Sequence, residues 1–96
     1  MKTIVVLKDG VVKMRVRNVR ILPGGSIRKR IDGTDLPVLF QHKLAAAGID
    51  VAGVQARIAA RKPTDADLAC VVTMGENGGG VVVMDAAEYD ARQRIE

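Results

Sequence analysis

Residues 34–62 read TDLPVLFQHKLAAAGIDVAGVQARIAARK, and two folds compete for them. In a helical reading, Asp35 caps a helix whose Leu36, Leu39, Phe40, Leu44 and Ala47 fall on one stripe, and Gly48 ends it. Asp50 then caps a second helix carrying Val51, Val54 and Ile58, with Ile49 and Val54 as a hydrophobic staple. In a strand reading, Leu36, Val38, Phe40 and Leu44 share one face, interrupted by His42. Val54, Ala56, Ile58 and Ala60 then face one way and Gln55, Arg57 and Arg61 the other. Gly53 is mildly unfavourable near a helix start and natural in a loop before a strand, whereas the many alanines favour helix. The residues alone leave both readings open.

The flanks are easier to read. Lys2 to Lys8 and Val11 to Val16 are β-branched runs separated by Asp9-Gly10, a pair suited to a type I′ hairpin turn. That two-residue loop sets Leu7 opposite Val12, Val5 opposite Met14 and Thr3 opposite Val16. After Val16 the alternation slips phase, because Val19 and Ile21 come next. A bulge near Arg17-Asn18 absorbs the slip. Pro23-Gly24-Gly25 turns the chain, and Ser26 to Ile31 alternates Ile27 and Ile31 against Arg28 and Arg30. Near the other end, Leu68 to Met74 and Gly80 to Met84 are strand-like, joined by a loop over Gly75 to Gly79. Asp85 is placed to cap a last helical turn through Asp90.

The 96 residues suit one domain, here taken as 1–96, and the composition is globular, 48% hydrophobic and 27% charged. Phe40 and Tyr89 are the only aromatic residues, so aliphatic side chains must fill the core. Apolar runs stop well short of the roughly 18 residues that span a bilayer, so no membrane partner is expected. Cys70 stands alone and forms no internal disulfide; it reads as a small buried hydrophobe in a reducing compartment.

Charge is unevenly distributed. Residues 1–43 hold ten Lys or Arg against three Asp, a net of +7, and residues 44–96 hold five against eight acids, a net of −3. The basic set is Lys13, Arg15, Arg17, Arg20, Arg28, Lys29 and Arg30. If Ile21 pairs with Ile27, Arg20 and Arg28 become cross-strand neighbours, an arrangement that is destabilising unless something acidic answers it. A solvated basic face is the plain reading and an interaction surface the functional one. The segment has no aromatic residue to stack a base and no recognition-helix signature, which favours a protein partner, another copy included, over nucleic acid.

Catalysis finds little support. His42 is the only histidine and Ser26 the only serine, and no spacing supplies a nucleophile with an adjacent base and an orienting group. The run Gly75 to Gly80 lacks the Lys-Ser/Thr that closes a phosphate loop and leads into Val81-Val82-Val83, so it reads as a hairpin loop. Asp65 and Asp67 are too few for a calcium site, and Cys70 with His42 too few for zinc. No cofactor, metal or catalytic residue is expected.

The stretch from about Arg30 to Ala91 resembles the immunoglobulin-like N-terminal domain of phage baseplate upper proteins and related tail-associated proteins. Arg30-Ile31-Asp32-Gly33-Thr34-Asp35 before Leu36-Pro37-Val38 is similar to that family's basic residue and Gly-Asp-Thr-like turn ahead of a Leu-Pro strand. Ala47 to Gly53 takes the place of its Gly turn and Asp-Leu-Thr-Gly signature, with Val51-Ala52 where the family has Leu-Thr. Val54 to Pro63 matches a strand ending in a basic residue and Pro, Leu68 to Met84 two strands joined by a Gly-rich turn, and Asp85 to Ala91 an Ala-rich acidic segment. The resemblance implies an all-β fold, a small immunoglobulin-like β-sandwich with its Ig-like region at 30–91. Counted together with the basic N-terminal hairpin (1–25), whose attachment is open, the turn-separated strands number about seven. Its alternative is an α+β fold, an antiparallel sheet with two helices in 36–62. The core expected is Leu36, Val38, Phe40, Val54, Ile58, Cys70 and Val72. The implied function is that of a non-enzymatic virion protein, tail- or baseplate-associated, assembled in the host cytoplasm and working through contacts with other subunits. The other class is a small basic regulatory or inhibitory protein of the cytoplasm that binds nucleic acid or a nucleoprotein complex.

Overall fold

Asp9 and Gly10 both take positive φ, 51° and 81°, the type I′ geometry expected of an Asp-Gly hairpin turn. They join β1 (Lys2–Lys8) to β2 (Val11–Ile21) in a computed structural model that describes residues 1–31, 33–46 and 48–94. Leu7 stands opposite Val12 as expected, but Val6 faces Met14 and Ile4 faces Val16. One extra residue of β2, at Lys13, shifts the pairing beyond the turn, and a one-residue slip moves a strand's whole apolar set to the other face. The expected pairs Val5–Met14 and Thr3–Val16 are therefore not formed. A second shift, between Lys2 and Ile4, matches the bulge expected near Arg17-Asn18. Asn18 adopts φ 57° there, a left-handed conformation that asparagine tolerates better than most residues.

The remaining strands are β3 (Ile27–Ile31), β4 (Thr34–Pro37), β5 (Gly75–Glu76) and β6 (Val81–Asp85). They complete one antiparallel six-stranded sheet in the order β4-β3-β2-β1-β6-β5. The N-terminal hairpin is thus the middle of the sheet, with β1 paired to both β2 and β6. That position explains why β1 is apolar on both faces. Ile4 and Val6 pack with Val19, Ile27, Val38, Phe40, Val72, Val81 and Val83 on one side, while Val5 and Leu7 meet Ala86 on the other. Pro37 ends an outer strand, where a missing N–H is tolerated.

The deciding stretch divides at Phe40. Before it the chain is extended: β4 continues through Val38 into a bridge between Leu39 and Val71, and Phe40 N–H donates to the Cys70 carbonyl at 2.7 Å. After it come α1 (Gln41–Ala46) and α2 (Val51–Ala59). In the strand reading residues 36–44 and 54–61 are strands; Gln41 to Leu44 and Val54 to Ala59 are instead helical. The described residues form a sheet-rich α+β fold, 41% strand and 31% helix, in which a seven-stranded sandwich is not seen. Capping and burial explain the outcome. The Asp50 carboxylate accepts from Gly53 N–H at 2.7 Å and starts α2. Val54 is fully buried with Leu39, Leu44 and Cys70. A strand would have turned Ala56 and Ala60 to the core beside Val54; both are exposed, where alanine's helix propensity costs nothing. Asp35 caps no helix, since it lies in β4. Ala47 of the helical stripe and Asp32 of the turn motif lie outside the described residues.

The expected strand Leu68–Met74 is also corrected. Thr64 caps a single turn, α3 (Asp65–Leu68), through a reciprocal capping box with Asp67. Val71 and Thr73 then make isolated bridges to Leu39 and Ser26. At the C-terminal end Asp85 accepts from Ala87 N–H at 2.9 Å and opens α4 (Ala86–Arg94), longer than the single turn expected. Leu36, Val38, Phe40, Val54, Cys70 and Val72 are buried as anticipated; Ile58 is half-buried.

Candidate interaction surface

Register sorts the basic residues. Arg20 stands opposite Arg28 and Ile21 opposite Ile27, as the pairing across Pro23-Gly24-Gly25 implied. Arg30 faces Asp35 across β3 and β4. Because Ile27 is core, alternation sends Arg20, Arg28 and Arg30 to the opposite, outer side of the sheet. Arg15 pairs in register with Val5 and so shares the outer side, on the part that α4 covers. Arg17 is exposed between core-facing Val16 and the Asn18 bulge.

The other two members go elsewhere. Lys13 borders a shallow concavity with Phe40 and His42. Lys29 sits opposite Leu36, and its ammonium donates to the Arg17 carbonyl at 3.1 Å. The seven residues are thus not one ribbon. Five share the outer side, and two leave it.

Two of the five are neutralised locally. Arg15 Nη2 meets Asp90 Oδ1 at 3.2 Å, and Arg20 is paired with Asp35. Exposed pairs of this kind contribute little stability, so they restrain the guanidinium groups more than they hold the fold. Among the described residues, Arg17, Arg28 and Arg30 have no ion-pair partner. Arg20, Arg28 and Arg30 line a concavity of about 290 Å³ with Asn18, Met1 and Asp35. A larger groove, about 670 Å³, adjoins it through Arg28 and Asp35 and runs to Ile58, Arg61 and Leu68. The face can offer several guanidinium forks to carboxylates or phosphates.

One charged cluster was not foreseen. Asp67 is fully buried and grips Arg57 through two hydrogen bonds, Nε to Oδ2 at 2.5 Å and Nη2 to Oδ1 at 2.7 Å. Its Oδ2 also accepts from Thr64 N–H at 3.0 Å. The Arg57 hydrogen bond holds the Asp67 carboxyl far below the usual carboxylate range, with the Thr64 contacts adding to it against the opposing effect of burial. This pair ties α2 to α3 and commits the lone pairs that a cation would need. Thr64-x-x-Asp67 is a capping-box spacing, the one sequence signal that could have found it.

The other residues considered for chemistry take structural positions. His42 lies exposed on α1, its ring centroid 5.6 Å from that of Phe40. Ser26 is held in the bridge to Thr73. Cys70 is buried and donates to the Ala66 carbonyl at 3.3 Å. The glycine run is a hairpin loop pinned by Asn77, whose side chain bonds both the N–H and the C=O of Thr73. Among the described residues, no helix is long and apolar enough to cross a membrane. The chain matches no family model, and no similar curated protein or solved structure was found.

Proposed function

We propose that this chain is a non-enzymatic assembly module of a phage particle, tail- or baseplate-associated, that docks onto acidic protein surfaces through the outer side of β2–β4. The observation that carries the docking role is the row Arg17, Arg28 and Arg30, which lacks internal ion-pair partners among the described residues while neighbouring Arg15 and Arg20 have them. Arg28 stands directly opposite Arg20, a like-charge pair that costs stability and that Asp35 answers only at Arg20, so an acidic partner at Arg28 would complete it. Arginine suits such an interface because its planar fork binds carboxylates with two parallel hydrogen bonds. The place in a particle comes from the resemblance over residues 30–91. A docking role does not depend on the seven-stranded sandwich topology, because the arginine row lies on β2 and β3.

Composition of purified particles tests this reading. Particles from a host carrying the gene should contain the chain in fixed stoichiometry, retained through a salt wash near physiological strength. Recovery only from the soluble host fraction, bound to nucleic acid, would instead support the small basic regulator.

A further inference from the structure

We propose that the groove beside Arg28 holds an acidic peptide segment bearing an apolar anchor, a partner chemistry that rests on the protein-docking reading above. The groove lies where β4 meets the C-terminal end of α2 and α3, and Pro37, Ile58, Leu68 and Val71 supply its apolar lining. Leu68 is 54% exposed, and besides Met1 and Val11 it is the large hydrophobic residue most open to solvent among those described. Arg28 and Arg61 provide the charge. Among the described residues, Asp35 is the only acid lining the groove, and it is already engaged by Arg20. The combination asks for carboxylates beside an apolar side chain.

Arg61 adds an independent observation. It takes φ 58° just after α2, with its N–H bonded to the Ile58 carbonyl and the Lys62 N–H to the Arg57 carbonyl. That helix-ending turn normally employs glycine, which adopts it without strain. The turn gains nothing from an arginine, whereas the groove gains a guanidinium. A nucleic-acid backbone would use the two arginines but leave Leu68 in water, so the apolar lining favours a peptide.

The test is fluorescence anisotropy at about 150 mM salt, using a labelled, terminally blocked peptide of alternating Glu and Leu. Controls are its Glu/Ser counterpart and a short DNA duplex. The Glu/Leu peptide should bind, and the two controls should bind far more weakly. Arg61→Gly and Leu68→Gln should each weaken binding about tenfold, the worth of one charge-assisted or one buried apolar contact. Arg61→Gly should melt no lower than the wild type, which separates lost binding from lost folding. Unchanged affinity in both variants would overturn the groove. If Arg17→Glu/Arg30→Glu then still prevented particle docking, the broader docking reading would stand without it. Equal binding of the duplex and the Glu/Leu peptide would overturn both.

Discussion

At the scale of single residues, two kinds of position decide the molecule's behaviour: one buried carboxylate and a few backbone conformations. Asp67 has its ionised form stabilised in the fold, so its contribution is present above the unfolded pKa, near 4, and is lost as pH falls through and below it. Asp67→Asn should lower stability at neutral pH, and the gap to the wild type should narrow from about pH 4 downward. Denaturant titrations at neutral and acidic pH measure this directly; a gap independent of pH would mean that the ion pair contributes nothing. Gly53 and Gly80 give opposite expectations. Gly53 lies in the first turn of α2 with ordinary φ, and an added Cβ would meet side-chain ends only, the Asp50 carboxylate at 3.2 Å and Arg57 Nη1 at 3.5 Å. Gly53→Ala should be neutral or stabilising, by up to about 1 kcal/mol. Gly80 has φ +80° and faces the Asp9 side chain across the β1–β2 turn. Gly80→Ala should cost about 1–2 kcal/mol, read as a lower midpoint in thermal unfolding.

At the scale of elements, legibility followed locality. The Asp-Gly turn, the Asn18 bulge and the caps at Asp50 and Asp85 are written in neighbouring residues, and the structure has all four. The bulge at Lys13 is not written locally. It puts Met14 and Val16 of β2 on the layer of Ile4 and Val6 while Val12 stays with Val5 and Leu7, a tertiary arrangement that hairpin rules do not contain. The same limit governed residues 34–62. Leu36, Val38 and Phe40 are extended and Val54 helical, and alternation alone could not mark Phe40 as the boundary. The core was easier to name than its elements, since hydrophobicity survives either reading. Of the site, the seven basic residues were legible as a set, but their division between two sides depends on the bulges. Far-ultraviolet circular dichroism should therefore report about a third helix, matching the 31% here. A spectrum with almost none would restore the sandwich. Asn18→Ile should cost about 1–2 kcal/mol, because a β-branched side chain resists the left-handed conformation that the bulge needs.

At the scale of the whole molecule, a net charge of +4 conceals a division between a basic N-terminal part and an acidic remainder. The sheet concentrates that excess on its outer side, where Arg17, Arg20, Arg28 and Arg30 lie within one region of β2 and β3. Such a face attracts any polyanion at low salt, and the contact number limits how much binding survives. Four phosphate contacts would lose about 10²-fold in affinity between 50 and 200 mM salt. Duplex DNA should accordingly bind weakly and without sequence preference, and let go near physiological salt. A protein partner that also buries apolar surface is held by terms that salt does not screen. The most direct measurement is the incorporation of Arg17→Glu/Arg30→Glu into particles, scored beside the wild type after confirming by circular dichroism that the variant is folded. The docking account predicts that the folded variant is left free in solution while the wild type is recovered in the particle. Incorporation of the variant at the wild-type level would contradict it.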